Sequence, residues 1–278
     1  MLLVADSGST KTQWWGDESL KFETIGFNPF FHSSESVLTA LQSNSDFKNH
    51  SPKFTEVIFY GSGCSSVERK KVISDALSVF FSNATIKVGH DMDASAYATY
   101  MGRPTISCII GTGSNSCLFD GQNCTEVVPS LGYILGDEGS GGYFGKKLLI
   151  AFLYHQLPEA THAILQDKYE LDKEKIFEAV YKKPHANVYM ASFAKVLSES
   201  PDKEYIQDLV KSGMTDFVKQ HVCCYPDYKN YPVSFVGSIS FYFADIIREV
   251  LDEFGCEVGV IIKDPIERLF EWHKKNRF

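Results

Sequence analysis

Several things are scarce or missing in this chain, and each absence removes a class of protein. No stretch approaches the roughly 20 consecutive apolar residues that a membrane helix needs, and the amino terminus lacks the basic, then apolar, then small layout of a secretory signal. No CxxC pair occurs among the seven cysteines; Cys64, Cys108, Cys117, Cys124, Cys223 and Cys256 are scattered, with Cys224 beside Cys223. That pattern argues against zinc or an iron–sulfur cluster held within one chain. An odd cysteine count without a signal points to reduced thiols in a cytoplasm. No long basic block stands out and the formal charge is −8, so neither nucleic acid nor a membrane is an expected partner. Three nucleotide signatures also fail. In "SGGYFGKK" Ser140 stands where a P-loop needs its first glycine and Lys147 where it needs Ser or Thr, while neither "GSGCSS" nor "GTGSNS" completes GxGxxG.

What is present is a chain of 278 residues, 44% hydrophobic, comfortable for two domains with full cores. "LLVADSG", "KTQWWG" and "LKFETIG" read as three strands, with "GDES" as a turn. A helix at "SESVLTALQS", the strand "EVIFYGSG", the helix "SVERKKVISDALSVFFS", the strand "TIKVGHD" and the Ala-rich helix "DASAYATYMG" follow. After the linker "GRPT" the opening pattern returns in "SCIIGTGSNSCLFDGQNCTEVVPSLG". A shift of 105 positions lays Gly8 on Gly113, Ser9 on Ser114 and Gly16 on Gly121.

Beyond that the chain turns mainly helical. A helix is expected at "GSGGYFGKKLLIAFLYHQL" and another at "DKEKIFEAVYKK". "PDKEYIQDLVKSGMTDFVKQHV" is expected to be capped by Ser200 with Pro201 at its first position. The strand "PVSFVGSIS" then leads into the helix "FYFADIIREVLDEFG", and the strand "VGVIIKD" into the helix "IERLFEWHKKN". The expected architecture is α/β: two lobes, residues 1–103 and 104–278, with a ligand cleft between them and a helical insertion enlarging the second.

A pair of Gly-rich strand–turn–strand loops can cradle an anion with backbone N–H groups. Gly8, Ser9, Thr10, Lys11 and Thr12 would form one such loop, and Gly111, Thr112, Gly113, Ser114 and Asn115 the other. Lys11 would reach a phosphate as a point charge. The acid at the mouth of the first loop, Asp6, then has a use. ATP arrives with Mg²⁺, a hard cation that keeps its waters and seeks carboxylate oxygens, so Asp6 would tend the metal through water. Gly111 is taken as its counterpart in the second loop and bears no charge. An ordinary hairpin with Asp6 as a turn former is the competing reading of "DSGSTKT" taken alone.

"DSGSTKT", "HDMDASAYA", "GTGSNS", "LGYILGDEGSGGYFGKKLL" and "FVGSISFYFADII" occur in the order and spacing of the actin-like ATPase superfamily that includes acetate and sugar kinases. Over nearly its whole length the chain resembles the BadF/BadG/BcrA/BcrD-type family, on the branch containing N-acetylglucosamine kinase. The resemblance implies two ribonuclease-H-like lobes, each βββαβαβα. It implies ATP with Mg²⁺, and transfer of the γ-phosphoryl group to a hydroxyl of N-acetylglucosamine or a related hexose. A homodimer is one assembly open to such a protein.

By the same resemblance, Asp91 would accept the proton of the attacking hydroxyl, with Asp93, two residues on, as its rival or as a helix cap. Asn28 would contact the sugar, although Asn-Pro is also a turn opener. Ser62, Gly63 and Asp137 would line the sugar as well. Glu138 would anchor the start of a helix, and Gly237 and Ser238 would form the adenosine turn. Trp14 and Trp15 read as alternate strand faces, and Cys223 and Cys224 as structural. The chain departs from the family at "DPIERLFEWHKK", where relatives carry a Gly- or Ala-rich helix. It departs again at "LGYIL", where human-like enzymes present a Trp. An ATPase that changes shape to activate a partner enzyme is the alternative. A sugar-sensing regulator is disfavoured, because such proteins carry a DNA-binding module ahead of the first strand.

Overall fold

The computed structural model describes residues 1–276, which form two units: Met1–Tyr100 with the last segment from Asp264, and Met101–Lys263. The first unit is built on a five-stranded sheet of β1 (Leu2–Ser7), β2 (Lys11–Gly16), β3 (Lys21–Ile25), β4 (Glu56–Gly61) and β5 (Thr85–His90), in the order β3-β2-β1-β4-β5. β1 pairs antiparallel with β2 and parallel with β4, so both its hydrogen-bonding edges are satisfied, and every residue in it except Asp6 is buried.

Alternation along β1 sends Leu3 and Ala5 to one face and Leu2 and Val4 to the other. On the first face Trp14 is fully buried among Phe47, Phe59 and Phe81, with ring centroids 5.1, 5.8 and 6.0 Å away. Its indole N–H donates to Thr24 Oγ1 at 3.0 Å, so the large ring is buried with no polar group left unpaired. Trp15, one residue on, faces the other way and is only half-buried. The helices Ser34–Ser43 and Val67–Phe80 cover this side, each opened by a serine whose hydroxyl caps the first turn, Ser33 and Ser66.

The opposite face is covered by the helices Asp91–Thr99 and Ile266–Lys275. The second of these corrects the boundary expected from sequence, which placed all of 104–278 in the second lobe. Ile266, Leu269 and Phe270 form an apolar stripe, and it is satisfied against Leu2, Val4 and Ile58 of the first sheet. Tyr97 and Trp272 stack between the two helices at 5.3 Å, and Tyr60 bonds His273 Nε2 at 2.9 Å.

The second unit repeats the plan with β6 (Thr105–Ile110), β7 (Ser114–Phe119), β8 (Cys124–Thr125), β9 (Val233–Val236) and β10 (Val258–Ile262), in the order β10-β9-β6-β7-β8. Counted from its own first strand, each sheet has the same order and the same mix of parallel and antiparallel pairs. The strands repeat at 103 residues, Leu2 to Thr105 and Lys11 to Ser114, rather than at the 105 suggested by the glycines. Strand position therefore matches Asp6 with Ile109, each the fifth residue of its strand, and not with Gly111.

The helical insertion lies between β8 and β9 and includes Gly141–Leu153 and Lys203–His221. The latter begins two residues later than the Ser200–Pro201 signal suggested. Asp202 precedes it, its carboxylate accepting from Thr161 N and Oγ1 at 2.9 and 2.6 Å. Among the described residues no helix is long and apolar enough to cross a membrane.

Candidate active site

In the first unit the turn between β1 and β2 is closed by the pair Ser7–Thr12 and by Gly8 N donating to Lys11 O at 3.0 Å. Among the described residues, the backbone N–H groups of Ser9 and Thr10 have no protein acceptor, which is what an anion-binding turn presents. Thr12 does not belong to that surface, contrary to expectation. Its hydroxyl is buried, lies 2.7 Å from Ser7 Oγ and donates to Ile25 O at 2.9 Å, so it braces the turn from behind. The period of two along β2 decides this: Lys11 and Gln13 face out where Thr12 and Trp14 face in.

Asp6 sits at the end of β1, half-buried. Loss of solvent and the charges of Asp91 and Asp264 push its carboxyl up to about 7, with Lys11 opposing. Asp91 is the first residue of its helix, and its Oδ1 lies 3.0 Å from His90 Nε2. Asp93 caps that helix, its Oδ2 accepting from His90 N at 3.0 Å. Sequence reasoning missed Asp264, which lies 3.5 Å from Lys11 Nζ. The duplication carried the signal: Asp264 follows β10, just before a helix, much as Asp91 follows β5.

Mg²⁺ suits this donor set. Carboxylate oxygens that raise one another's affinity for a proton are relieved by a hard cation. Among the described residues no three His, Cys, Asp or Glu side chains could hold a metal by themselves, and Mg²⁺ commonly relies on waters and substrate phosphates for the remaining ligands.

Asn28 opens the expected turn: its carbonyl accepts from Phe31 N at 2.9 Å and its Oδ1 from Phe30 N at 2.9 Å. With Oδ1 engaged, the Nδ2 amide is the group it can offer a ligand. Gly63 lies directly against this side chain. Its φ of 81° favours glycine, and a Cβ there would fall 2.6 Å from Asn28 Oδ1. Ser62 N donates to Ser7 O at 3.1 Å, tying the same loop to the end of β1.

The second unit's turn is shorter, closing at Ile110–Ser114. Its carbonyls are clamped by the start of the helix Gly141–Leu153: Gly141 N donates to Gly111 O at 2.8 Å and Gly142 N to Thr112 O at 2.9 Å. Two of that helix's unsatisfied N–H groups are thereby used to hold the turn. The amides of Thr112 and Gly113 have no protein acceptor among the described residues. The side chains of Ser114 and Asn115 both have partners within the second unit. Ser114 Oγ donates to Glu138 O at 2.8 Å, and Asn115 joins Glu126 Oε2 at 3.0 Å.

Asp137 lies on this turn, 9% exposed, its Oδ1 accepting from Ser114 N at 3.3 Å. Burial raises its carboxyl above the usual range against the pull of that bond. Gly113 leaves room for it, since a Cβ there would stand 2.9 Å from Asp137 Oδ2. Glu138 does not anchor the helix start as expected; it reaches His221 Nε2 at 3.3 Å, and Ser140 caps the helix. Gly237 has φ 131°, and a side chain there would collide with the Ile110 carbonyl, so the turn after β9 runs directly against the end of β6. Ser238 begins the short helix that follows.

Two duplicated sheets, each opening on a turn with free amides, are the frame of an actin-like ATPase. MreB 5 of Spiroplasma citri, solved with AMPPNP, superposes at a TM-score of 0.61 with 10% identity, over 99% of this chain and 95% of that one. The chain belongs to the N-acetylglucosamine kinase-like branch of that superfamily. A candidate N-acetylglucosamine kinase from Porphyromonas gingivalis is 34% identical over the whole of both chains, with a TM-score of 0.92. A second, from Chromobacterium violaceum, shares the fold at 16% identity and TM-score 0.70, with 98% of each chain covered. No protein-family model matches the chain, and no curated protein sequence does.

Proposed function

We propose that the protein is an ATP-dependent sugar kinase that transfers the γ-phosphoryl group to a hydroxyl of N-acetylglucosamine or a related hexose. What carries this reading is the company Asp91 keeps. Its charge acts on Asp6, and Asp6 feels Lys11, so a candidate base, a metal acid and a phosphate cation share one corner of the first unit. The full-length likeness to a candidate N-acetylglucosamine kinase supports the same reading.

Gly8, Ser9, Thr10 and Lys11 of the first unit and Gly111, Thr112 and Gly113 of the second bind the phosphates, and Gly237 and Ser238 the adenosine. Asp6 would hold Mg²⁺ through water. When bound, Mg²⁺ neutralises charge on the phosphate oxygens. Asn28 donates its amide to a sugar oxygen, Ser62 and Gly63 line the same loop, and Asp137 accepts from sugar hydroxyls. Asp91 orients the alcohol and takes its proton as the oxygen bonds to the γ-phosphorus and the bond to the β–γ bridging oxygen breaks, releasing ADP. Positioning and charge stabilisation do most of the work.

ADP release should be followed across a panel of hexoses and N-acetylhexosamines. The expected result is turnover that depends on one or a few sugars and on Mg²⁺. Hydrolysis indifferent to every sugar would overturn the kinase reading in favour of an activating ATPase.

A further inference from the structure

The loop that carries Asn28 holds an aromatic ring whose placement neither the core nor the chemistry above explains. Phe30 is 62% exposed, yet it is fixed on several sides. Its backbone N–H is bound by Asn28 Oδ1 at 2.9 Å. The ring edge lies along Gly63, where a Cβ would come within 3.0 Å of Phe30 Cδ2. The Arg69 guanidinium stands over the ring, 4.5 Å from its centroid. Arg69 is itself held, its Nε donating to Ser66 Oγ at 3.3 Å, and Ser66 caps the helix Val67–Phe80.

A single exposed phenylalanine is ordinary on a protein surface. One that is braced by a cation on one side and by a glycine backbone at its edge, beside a side-chain amide with free donors, is a prearranged platform. The ring face carries partial negative charge, which suits the slightly positive C–H hydrogens on the apolar face of a pyranose. Asn28 Nδ2, next to it, suits a ring substituent oxygen. A ring already held in place loses little conformational freedom when a ligand lies on it.

We propose that Phe30 is the sugar-stacking residue of this protein, and that it sets the affinity for a pyranose by packing against its C–H face while Asn28 takes an oxygen. The inference rests on the sugar-kinase reading and extends it to a residue and a ligand surface.

The test compares wild type with Phe30→Ala, Phe30→Leu and Phe30→Trp. It measures KM for the sugar found in the panel, KM for ATP, kcat, and direct sugar binding by calorimetry. Phe30→Ala should raise the sugar KM and Kd by about 10-fold, the equivalent of one aromatic contact, with kcat and the ATP KM within about 2-fold. Phe30→Trp should restore the sugar affinity and Phe30→Leu should not, because leucine keeps apolar volume without a π face. An unchanged sugar KM in Phe30→Ala, or equal rescue by Leu and Trp, overturns the proposal. A parallel rise in the ATP KM also overturns it, since that would make Phe30 a loop support only. A wild type with no sugar-dependent turnover and no sugar binding overturns the kinase reading and this inference with it.

Discussion

Asp264 lies 3.5 Å from Lys11 Nζ, pairing a residue near the carboxyl end of the chain with the first phosphate-type turn. Gln13, two residues along β2 from Lys11, bridges the pair when its amide is oriented to suit both, 3.2 Å from the lysine and 3.3 Å from the carboxylate. The lysine expected to meet phosphate therefore already has an anionic neighbour, supplied by the segment that leads into the last helix.

Replacing Asp264 with Asn removes that neighbour's charge and keeps its shape. Both partners are more than a third exposed, so stability should change by less than about 1 kcal/mol. If Lys11 serves the phosphates, ADP should bind about 3- to 5-fold more tightly at low ionic strength, and the gain should shrink in 0.5 M salt. Calorimetry at two salt concentrations measures both. Weaker ADP binding in the variant would show that Asp264 supports the site and does not compete for the lysine.

Asp91→Asn should leave nucleotide affinity within about 3-fold of wild type while sugar-dependent turnover falls by about 10² to 10⁴, the range of a lost general base. Asp93→Asn should behave differently, because Asp93 accepts the His90 N–H as a helix cap. Its main effect is a lower melting temperature, worth about 1 kcal/mol. The two variants exchanging phenotypes would reverse the assignment of base and cap.

Gly237→Ala tests the turn after β9. The backbone there sits at φ 131° and a methyl group would strike the Ile110 carbonyl. Strain and overpacking together should cost about 3 kcal/mol, read as a lower urea midpoint at unchanged m-value. A variant as stable as wild type would mean that the turn relaxes freely.

The His273 ring is pushed down to about 4, chiefly by burial, and it stacks on and bonds to Tyr60. Between pH 6.5 and 4 the unfolded chain takes up a proton that the folded ring refuses, so stability falls as pH falls through that window and is level above it. His221, also lowered by burial, acts with the same sign. His273→Gln should remove its own share of the slope, about 1 to 2 kcal/mol after allowance for solvent at a half-buried ring. Urea midpoints at several pH values check this, and parallel curves for the two proteins would refute it.

Much of the fold was legible because local pattern and tertiary environment agree. The alternation of β2 separates Trp14 from Trp15, and "SESVLTALQS" is a helix over Ser34–Ser43 with Ser33 as its cap. The candidate site was legible less evenly. Asp6, Lys11, Asn28, Gly63 and Asp91 fall together in the first unit. Thr12 read as a phosphate donor, since a hydroxyl in a Gly-rich stretch looks the same whether it faces a ligand or braces the turn.

Residue order alone determined the duplicated strand plan and the two turns, because these follow from period-two burial and from glycine, which act over a few residues; Asp91 was reached only through the family resemblance. Tertiary packing decided that the final helix joins the first unit, that Asp264 reaches Lys11, and that Glu138 turns to His221. Those choices depend on which distant apolar face or opposite charge is available, and no local spacing in the chain encodes that.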